Sequence, residues 1–334
     1  MSRIAILGGG GWGTALAILL SRARESHQIS IWVHDAALAG AMREKRENAN
    51  YLPGQTIPAD VSVFSDLREA LRGAEIIVGA MPTAHAREIY SAGVPYLTDG
   101  VAIVSATKGL EPATHARMSE VIGQAMAQRV AVTISVLSGP SFALEAARGE
   151  PTAVVLASED DATAQTQQRC FAGPTLRLYT NRDVLGVELA GAMKNVIAIA
   201  AGVGQGLGLG ANTLAALVTR GLAEMTRLAV ALGAQPSTLS GLAGLGDLVL
   251  TCTGTLSRNR HVGIELGKGR ALNEILDNMK MVAEGVGTAA ALLALAHERK
   301  IELPITEQVN AILYQGTAPA AAMREIMERP QKSE

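Results

Sequence analysis

The chain has 334 residues, of which 48% are hydrophobic and 18% charged, so it can form one large domain or two. Its formal net charge of −2 and its 3% aromatic content give no electrostatic or stacking basis for binding nucleic acid or an anionic membrane. The two cysteines, Cys170 and Cys252, have no metal-ligand spacing and form no disulfide framework, which favours buried thiols in a cytoplasmic protein without a metal site.

Short β-rich segments alternate with helical patterns in the first half of the chain. Strands are predicted at residues 4–7, 29–33, 76–80, 101–105, 131–138, 153–157 and 176–179. Helices are predicted between them at residues 14–24, 36–46, 66–72, 85–92 and 115–127. Such alternation predicts a parallel sheet covered by helices on both faces.

The character of the sequence changes at about residue 182, because alanine and leucine then dominate and β-branched runs become rare. Helical patterns occur at residues 184–201, 212–232, 237–242, 260–268, 285–298 and 305–314. We therefore predict an α/β, Rossmann-like, doubly wound domain over residues 1–182 and an all-α domain over residues 183–334.

The apolar stretch around Lys194 resembles a membrane span, since Lys194 is the single charged residue between positions 189 and 219. A spanning helix needs about 20 predominantly apolar residues in one continuous helix. Five glycines interrupt this stretch, at positions 202, 204, 206, 208 and 210. We predict a buried helix, a glycine-rich bend and a second helix, and no association with a membrane.

A glycine-rich loop follows the first predicted strand. Gly8, Gly10 and Gly13 form a G-x-G-x-x-G pattern that opens the first predicted helix. Such glycines allow a tight turn and bring the backbone close to a pyrophosphate at the helix N-terminus. The position between strand and helix favours a dinucleotide site over the alternative, a flexible glycine turn.

His34 and Asp35 follow the second predicted strand. An NAD site usually places an acidic residue at this strand end to bind the ribose 2′-OH. Here His34 holds that position, and a histidine tolerates a 2′-phosphate that a carboxylate would repel. We therefore favour NADP(H) and keep NAD(H) open, the alternative being that His34 is a solvated loop residue.

Two polar segments follow later predicted strands. Lys108 comes after the strand at 101–105, where a doubly wound fold places its ligand crevice, although a solvated lysine would fit equally well. Gly139 and Ser141 follow the strand at 131–138. Ser141 either caps the next helix or helps to bind a polar substrate.

Lys194 is the most informative single residue. A charge on an otherwise apolar helix is costly unless it has a partner or a task, and a buried lysine suits general acid–base chemistry. Asp247 follows two glycines and is either a turn residue or part of a site. Ser257, Arg258 and Asn259 precede a predicted helix and supply the donors that suit a phosphate, the alternative being an ordinary basic loop.

Taken together, these segments resemble the soluble bacterial NAD(P)-dependent glycerol-3-phosphate dehydrogenases. The matching stretches are residues 8–15, 51–53, 106–111, 138–143, 194–201, 221–227, 244–253, 257–260 and 303–307. The family's usual cofactor loop has a serine before the aromatic residue, where this chain has Gly11. That difference concerns one side-chain contact to the phosphates, since the backbone amide remains.

The resemblance implies a function and a set of site residues. It implies reversible hydride transfer from NAD(P)H to dihydroxyacetone phosphate, giving sn-glycerol 3-phosphate for phospholipid synthesis, with Lys194 as proton donor and acceptor. The implied substrate ligands are Lys108, Gly139, Ser141, Lys194, Asp247, Ser257, Arg258 and Asn259. The implied cofactor contacts are Gly8, Gly10, Gly11, Trp12, Gly13, His34, Lys108, Ala143, Arg258, Val282 and Glu284.

Two other functions stay open at this point. A related two-domain reductase acting on a 3-hydroxy acid would need a carboxylate-binding set in place of Ser257, Arg258 and Asn259. A non-catalytic NAD(P)-sensing protein would have no need for Lys194 and Asp247, both of which are present. The choice between NADP and NAD and the oligomeric state, a homodimer included, also stay open.

Overall fold

The computed structural model describes residues 1–127 and 129–330. Two compact units are present: Met1–Glu111 with Ala116–Glu188, and Pro112–His115 with Leu189–Glu334. They divide within the helix Val184–Gly206. The boundary that the sequence predicts, at residues 182–183, immediately precedes this helix and remains a prediction.

The N-terminal unit contains an eight-stranded sheet and a separate two-stranded one. The strands are β1 (Ser2–Leu7), β2 (His27–Trp32), β3 (Glu47–Asn48), β4 (Leu52–Thr56), β5 (Val61–Phe64), β6 (Ile76–Gly79), β7 (Val101–Ser105), β8 (Val132–Ser138), β9 (Thr152–Ala157) and β10 (Leu176–Asn181). The helices are α1 (Gly11–Ser21), α2 (Ala36–Lys45), α3 (Leu67–Leu71), α4 (Thr83–Gly93), α5 (Met118–Met126), α6 (Ala143–Arg148) and α7 (Asp161–Phe171).

Helices cover both faces of this sheet. Successive side chains of a strand point to opposite faces. In β1, Ile4 and Ile6 accordingly belong to one buried apolar cluster, whereas Ala5 and Leu7 belong to another. A strand that is buried on both faces has no polar face, which explains why the central strands are continuous apolar runs.

The strand order is β10-β9-β8-β7-β6-β1-β2-β5, and β3 and β4 form a separate antiparallel pair. The six strands from β5 to β8 run parallel. The order reverses at β1, which lies between β2 and β6. A reversal of this kind is where open α/β sheets bind their ligands, so the predicted Rossmann-like, doubly wound fold is confirmed.

The last two strands depart from the predicted parallel arrangement, since β9 pairs with β8 in the antiparallel direction. The connection between them contains α6, a helix of six residues. Such a helix is about 9 Å long, whereas the seven residues of β8 span about 23 Å. The connection therefore does not carry the chain back along the sheet, and β9 starts its return from the end where β8 finishes.

The edge strand β5 was not among the predicted strands.

The C-terminal unit is all-helical over its described residues, as predicted. Its helices are α8 (Val184–Gly206), which begins in the N-terminal unit, α9 (Ala211–Ala231), α10 (Pro236–Leu239), α11 (Asp247–Thr253), α12 (Arg258–Gly267), α13 (Leu272–Asp277), α14 (Glu284–Arg299), α15 (Pro304–Tyr314) and α16 (Pro319–Glu328). A π-helical turn, Leu242–Gly246, precedes α11.

The prediction that glycines from position 202 onward bend the chain was wrong for the first three of them. Helix α8 continues through Gly206. A Cβ on Gly202 would lie 2.1 Å from the Arg260 carbonyl oxygen, and one on Gly206 would lie 2.3 Å from the Ile264 carbonyl oxygen. Both positions let the backbones of α8 and α12 touch, as small-residue pairs four apart do at close helix crossings.

Among the described residues, α8 is the one helix that is long and apolar enough by itself to cross a membrane. Of the 18 most apolar consecutive residues of α8, 94% are buried inside the protein. Core helices of soluble proteins are buried in the same way. The apolar surface of α8 is thus already covered by protein.

Candidate active site

The glycine loop lies at the carboxyl end of β1, where the strand order reverses. Gly8 has φ +128°, and a Cβ there would lie 2.8 Å from the backbone of Ala80. A Cβ on Gly13 would lie 1.9 Å from the Gly8 carbonyl oxygen. These two glycines are therefore required by the packing of the loop against β6 and against itself.

Gly10 differs from its neighbours because the fold does not require a glycine there. Its φ of −77° suits any residue, and no described atom lies within 4 Å of the position of a Cβ. It is the N-cap of α1, and no side chain caps this helix start. The open space in front of uncapped amides fits an anion, and a pyrophosphate is the anion that this loop type binds.

Trp12 supplies a second sign that the loop fits a ligand. Its indole Nε1 is buried and has no hydrogen-bond partner among the described residues. A buried N–H donor without a partner costs free energy, and such donors are usually satisfied by a ligand or a water. Next to it, a Cβ on Gly11 would lie 3.8 Å from the Ala143 methyl group, so two of the predicted cofactor contacts are neighbours.

His34 and Asp35 have different environments at the end of β2. The Asp35 carboxylate caps α2, because its Oδ1 accepts from the amides of Ala37 (2.8 Å) and Leu38 (3.1 Å). His34 is exposed, and its ring contacts the edge of Trp32 at 5.7 Å between centroids. Both side chains are exposed, and the Asp35 carboxylate is engaged in capping its own helix.

Lys108, Gly139 and Ser141 come together within the N-terminal unit. The Lys108 ammonium donates to the Gly139 carbonyl at 2.8 Å and lies 3.4 Å from the Ser141 hydroxyl. The Ser141 hydroxyl donates to the same carbonyl at 2.9 Å. Phe142, not Ser141, is the N-cap of α6, so the capping alternative for Ser141 is wrong.

Lys194 and Asp247 form a buried ion pair within the C-terminal unit. The Lys194 Nζ donates to Asp247 Oδ1 at 2.7 Å, and the two residues are 6% and 1% exposed. The same Nζ donates to the Thr251 hydroxyl at 2.8 Å, and that hydroxyl donates to the Asp247 carbonyl at 2.6 Å. The carboxylate and the hydroxyl therefore hold the ammonium in one place.

Thr251 was not among the residues that the sequence predicted to form the site. It lies four residues after Asp247 on α11, which places both side chains on one face of the helix. That spacing is a signal in the sequence, but many helical pairs share it. Only the approach of α8 shows which pair faces Lys194.

The segment Ser257–Asn259 begins α12, as its sequence suggests. Ser257 is the N-cap, since its hydroxyl accepts from the Arg260 amide at 3.2 Å. Arg258 is exposed and donates to the Val282 carbonyl at 2.7 Å, which brings together two of the residues predicted to contact the cofactor.

Asn259 is buried, and both the nitrogen and the oxygen of its side-chain amide form hydrogen bonds. Nδ2 donates to the Asn195 side chain at 2.9 Å, and Oδ1 accepts from the Gly285 amide at 2.9 Å. Asn195 directly follows Lys194, and Gly285 directly follows Glu284. Asn259 thus connects the helix that carries Lys194 to the start of α14.

The cysteines are buried and occur as free thiols. Burial raises the pKa of Cys170 to about 11 and that of Cys252 to about 12, so both thiols are protonated at neutral pH. Among the described residues one group of possible metal ligands occurs, Glu25, His27 and Cys170. The Cys170 Sγ lies 3.8 Å from His27 Nε2 and 3.9 Å from His27 Nδ1, and Nε2 already donates to the Cys170 carbonyl.

Two family models match this chain. The model of the NAD-dependent glycerol-3-phosphate dehydrogenase N-terminus matches residues 3–164, and that of the C-terminus matches residues 183–324. The chain belongs to this family. As a member it is an oxidoreductase with NAD(P)H as cofactor, and the loop at Gly8–Gly13 has the open space and the free donor that such a cofactor requires.

Relatives of this family member resemble it over their whole length. It is 52% identical to "Glycerol-3-phosphate dehydrogenase [NAD(P)+]" from Koribacter versatilis, over 100% of this chain and 99% of the relative. It is 53% identical to the protein of the same name from Acidobacterium capsulatum, over 100% of both chains. A crystal structure of glycerol-3-phosphate dehydrogenase from Coxiella burnetii has a TM-score of 0.93 and 39% identity, covering 98% of this chain and 99% of that one.

Proposed function

We propose that this family member reduces dihydroxyacetone phosphate to sn-glycerol 3-phosphate, and catalyses the reverse oxidation, with Lys194 as the proton donor and acceptor. The observation that carries the proposal is the buried set of Lys194, Asp247 and Thr251, with the ammonium held at 2.7 and 2.8 Å. The family and the names of the relatives support the substrate. A non-catalytic NAD(P)-sensing protein would have no use for this costly buried pair.

Lys194 provides the proton for the reduction. When bound, NAD(P)H supplies the hydride that the carbonyl carbon of the substrate receives. Negative charge then develops on the substrate oxygen, and the Lys194 Nζ donates a proton to it and stabilises it. In the reverse direction the neutral amine accepts the hydroxyl proton. Asp247 and Thr251 hold the Nζ so that it does not have to be reoriented at that moment.

The substrate phosphate requires donors without a competing carboxylate. We propose Arg258 as its main charged ligand, because a guanidinium can bind two phosphate oxygens at once, and the start of α12 adds backbone donors. The other proposed substrate ligands are Lys108, Gly139, Ser141, Asp247, Ser257 and Asn259. For Asn259 we expect the contribution to come through the position of its neighbours, since both ends of its amide are already engaged.

The cofactor contacts also remain proposals at the level of single residues. The proposed set is Gly8, Gly10, Gly11, Trp12, Gly13, His34, Lys108, Ala143, Arg258, Val282 and Glu284. We propose a preference for NADP(H), because Asp35 caps α2 and exposed His34 takes the position next to the ribose. We also propose a cytoplasmic protein that supplies phospholipid synthesis and binds neither membrane nor nucleic acid. A homodimer is compatible with this proposal.

Steady-state kinetics of Lys194→Ala test the proposed mechanism. We expect NADPH binding to persist and kcat to fall at least about 100-fold, the smallest loss typical for a missing acid–base group. Exposed Lys45→Ala is the matched control and should keep the activity of the wild type. Activity of Lys194→Ala within about threefold of the wild type would show that another group moves the proton.

Substrate choice tests the phosphate site separately. Arg258→Ala should raise KM for dihydroxyacetone phosphate by the equivalent of about 2–5 kcal/mol, and Arg258→Lys should restore only part of the loss. Unphosphorylated dihydroxyacetone should be a very poor substrate whose turnover at saturating NADPH does not depend on Arg258. If the wild type reduces both compounds equally well, the assignment of the phosphate site is wrong.

A further inference from the structure

Asn48 lies behind the glycine loop and is fully buried. Its Nδ2 donates to the Gly9 carbonyl at 2.8 Å and to the Thr14 hydroxyl at 2.8 Å, and its Oδ1 accepts from the Tyr51 amide at 3.2 Å. None of the cofactor contacts proposed above includes this residue. A buried amide with this many partners fixes the position of each of them.

Thr14 extends this contact to the next peptide of the loop. Its hydroxyl donates to the Gly10 carbonyl at 2.9 Å and accepts the hydrogen bond from Asn48. Asn48 therefore holds the Gly9 carbonyl directly and the Gly10 carbonyl through the Thr14 hydroxyl, and the Thr14 amide also donates to the Gly10 carbonyl at 3.0 Å. We call the residues Asn48 and Thr14 the loop clamp.

The direction of these carbonyls determines the direction of two amides. A trans peptide is planar, so its C=O and N–H point in opposite directions. Fixing the Gly9 carbonyl fixes the amide of Gly10, and fixing the Gly10 carbonyl fixes the amide of Gly11. Both amides lie at the uncapped start of α1, beside the open space at Gly10.

The segment that follows Asn48 also touches the loop directly. A Cβ on Gly11 would lie 2.8 Å from the Tyr51 carbonyl oxygen. Gly11 thus has a packing reason to be a glycine, because a serine at this position would displace Tyr51 or the loop. The segment from Asn48 to Tyr51 and the start of α1 therefore fit together as one preformed surface.

We propose that the loop clamp positions the backbone amides that bind the cofactor, so that Asn48 is a positioning residue for NAD(P)H, although it does not touch it. Without the clamp the Gly9 peptide can rotate, and a rotated peptide presents a carbonyl to the phosphates in place of the Gly10 amide. Ordering the loop at the moment of binding then lowers the affinity for the cofactor. The inference rests on the proposed pyrophosphate site at this loop.

The dissociation constant for NADPH, measured by quenching of protein fluorescence, tests the clamp. Asn48→Ala should raise it about 10- to 100-fold, the loss expected for one or two net hydrogen bonds. At saturating NADPH, kcat and the KM for dihydroxyacetone phosphate should stay within about threefold of the wild type. Exposed Asn278→Ala is the control for loss of an asparagine and should change none of these values.

Thr14 offers a second, isosteric test in case Asn48→Ala folds poorly. Thr14→Val removes the hydroxyl and keeps the shape, whereas Thr14→Ser keeps the hydroxyl. We expect Thr14→Val to weaken NADPH binding and Thr14→Ser to retain most of it. A purely structural role would lower the melting temperature of Asn48→Ala and Thr14→Val and leave the NADPH dissociation constant unchanged, and that result would overturn the proposal.

Gly10→Val separates this inference from the proposed cofactor site, because no described atom lies within 4 Å of the Cβ position and the side chain would occupy that open space. If Gly10→Val loses NADPH while Asn48→Ala and Thr14→Val keep the affinity of the wild type, the site is right and the clamp is wrong. If Gly10→Val itself binds NADPH normally, the proposed site at the loop is wrong.

Discussion

At the scale of single residues, the end of β2 has an acidic residue whose role is explained by a helix cap. Asp35 is the first acidic residue after β2, and its carboxylate caps α2. An N-cap of this kind contributes about 0.5–2 kcal/mol to stability. This contribution by itself explains an aspartate at this position. The neighbouring His34 is also exposed, and it is the residue that we propose lies beside the ribose or its phosphate.

The variant His34→Asp tests the proposed preference for NADPH. A carboxylate beside the 2′-phosphate of NADPH should repel it, whereas the ribose 2′-OH of NADH can donate to the same carboxylate. We expect KM for NADPH to rise about tenfold or more, and KM for NADH to stay the same or fall. Parallel assays with both cofactors provide the measurement, and an equal loss with both would assign His34 a structural role.

At the scale of elements, α8 and α12 cross at glycines. Gly202 and Gly206 of α8 face Gly263 and Gly267 of α12, and a Cβ on Gly263 would lie 2.0 Å from the Ile199 carbonyl oxygen. The contact is between backbones, so a methyl group on either side has no room. This crossing fixes the helix that carries Lys194 against the helix that begins with Arg258.

Replacing these glycines with alanine tests the crossing. Gly202→Ala should lower the free energy of unfolding by about 1–3 kcal/mol, because the methyl group would force the two backbones apart. Gly204→Ala is a matched control on the same helix, since the atoms nearest to its Cβ would be side-chain carbons of Leu217, Thr213 and Met323 at 3.5–3.9 Å. It should be neutral or stabilise by up to about 1 kcal/mol. Urea unfolding measures both, and equal effects would mean that the crossing tolerates a side chain.

The start of α15 depends on a buried carboxylate from α9. Glu224 accepts from the Ile305 amide (2.8 Å), the Thr306 amide (2.9 Å) and the Thr306 hydroxyl (2.6 Å). Helix α15 has no side-chain cap of its own, so Glu224 satisfies amides that would otherwise have no partner. Burial nevertheless raises the pKa of Glu224 above its ordinary value, the hydrogen bonds from Thr306 and Ile305 opposing this shift.

This raised pKa predicts the sign of a pH dependence. Between the ordinary pKa of about 4.3 and the raised value, the folded state binds more protons than the unfolded state, so the free energy of unfolding falls as pH rises. The favourable contribution of the carboxyl group is complete below its ordinary pKa and is lost as pH rises through the raised pKa. Urea unfolding of the wild type and Glu224→Gln at several pH values should show the wild type losing stability relative to the variant as pH rises. A constant difference between them would contradict the shift.

At the scale of the whole molecule, each unit has its own buried core, and the cofactor loop belongs to the N-terminal one. A ligand that binds the folded state alone stabilises it by mass action. The increase in stability on addition of cofactor therefore measures cofactor binding at the loop and does not depend on catalysis.

Thermal unfolding with and without NADPH tests this linkage. NADPH at about 100 times its dissociation constant should add about 2.7 kcal/mol to the free energy of unfolding of the wild type and raise its melting temperature. Gly10→Val, compared with its own melting temperature in the absence of NADPH, should show no increase on addition of NADPH, because its side chain would occupy the open space in front of the α1 amides. A full increase in the variant would place the pyrophosphate elsewhere.

The sequence alone determined the features that depend on local pattern. Apolar runs alternating with helical periods predict the α/β domain, and the change to alanine and leucine predicts the helical one, because burial imposes a period on each element. The glycine loop was predictable because it stands between a strand and a helix. Lys194 was predictable because an isolated charge in an apolar stretch needs a partner or a task.

The tertiary structure alone decided the features that depend on contacts between distant segments. The reversed direction of β9, the glycines that stay inside α8, the cap formed by Asp35 and the role of Asn48 leave no periodic signal. Thr251 became part of the candidate site only when α11 met α8, and Asn259 proved to face Asn195 and Gly285. Hydrogen bonds and close packing join residues by distance in space, whereas periodicity records only which face of an element is buried.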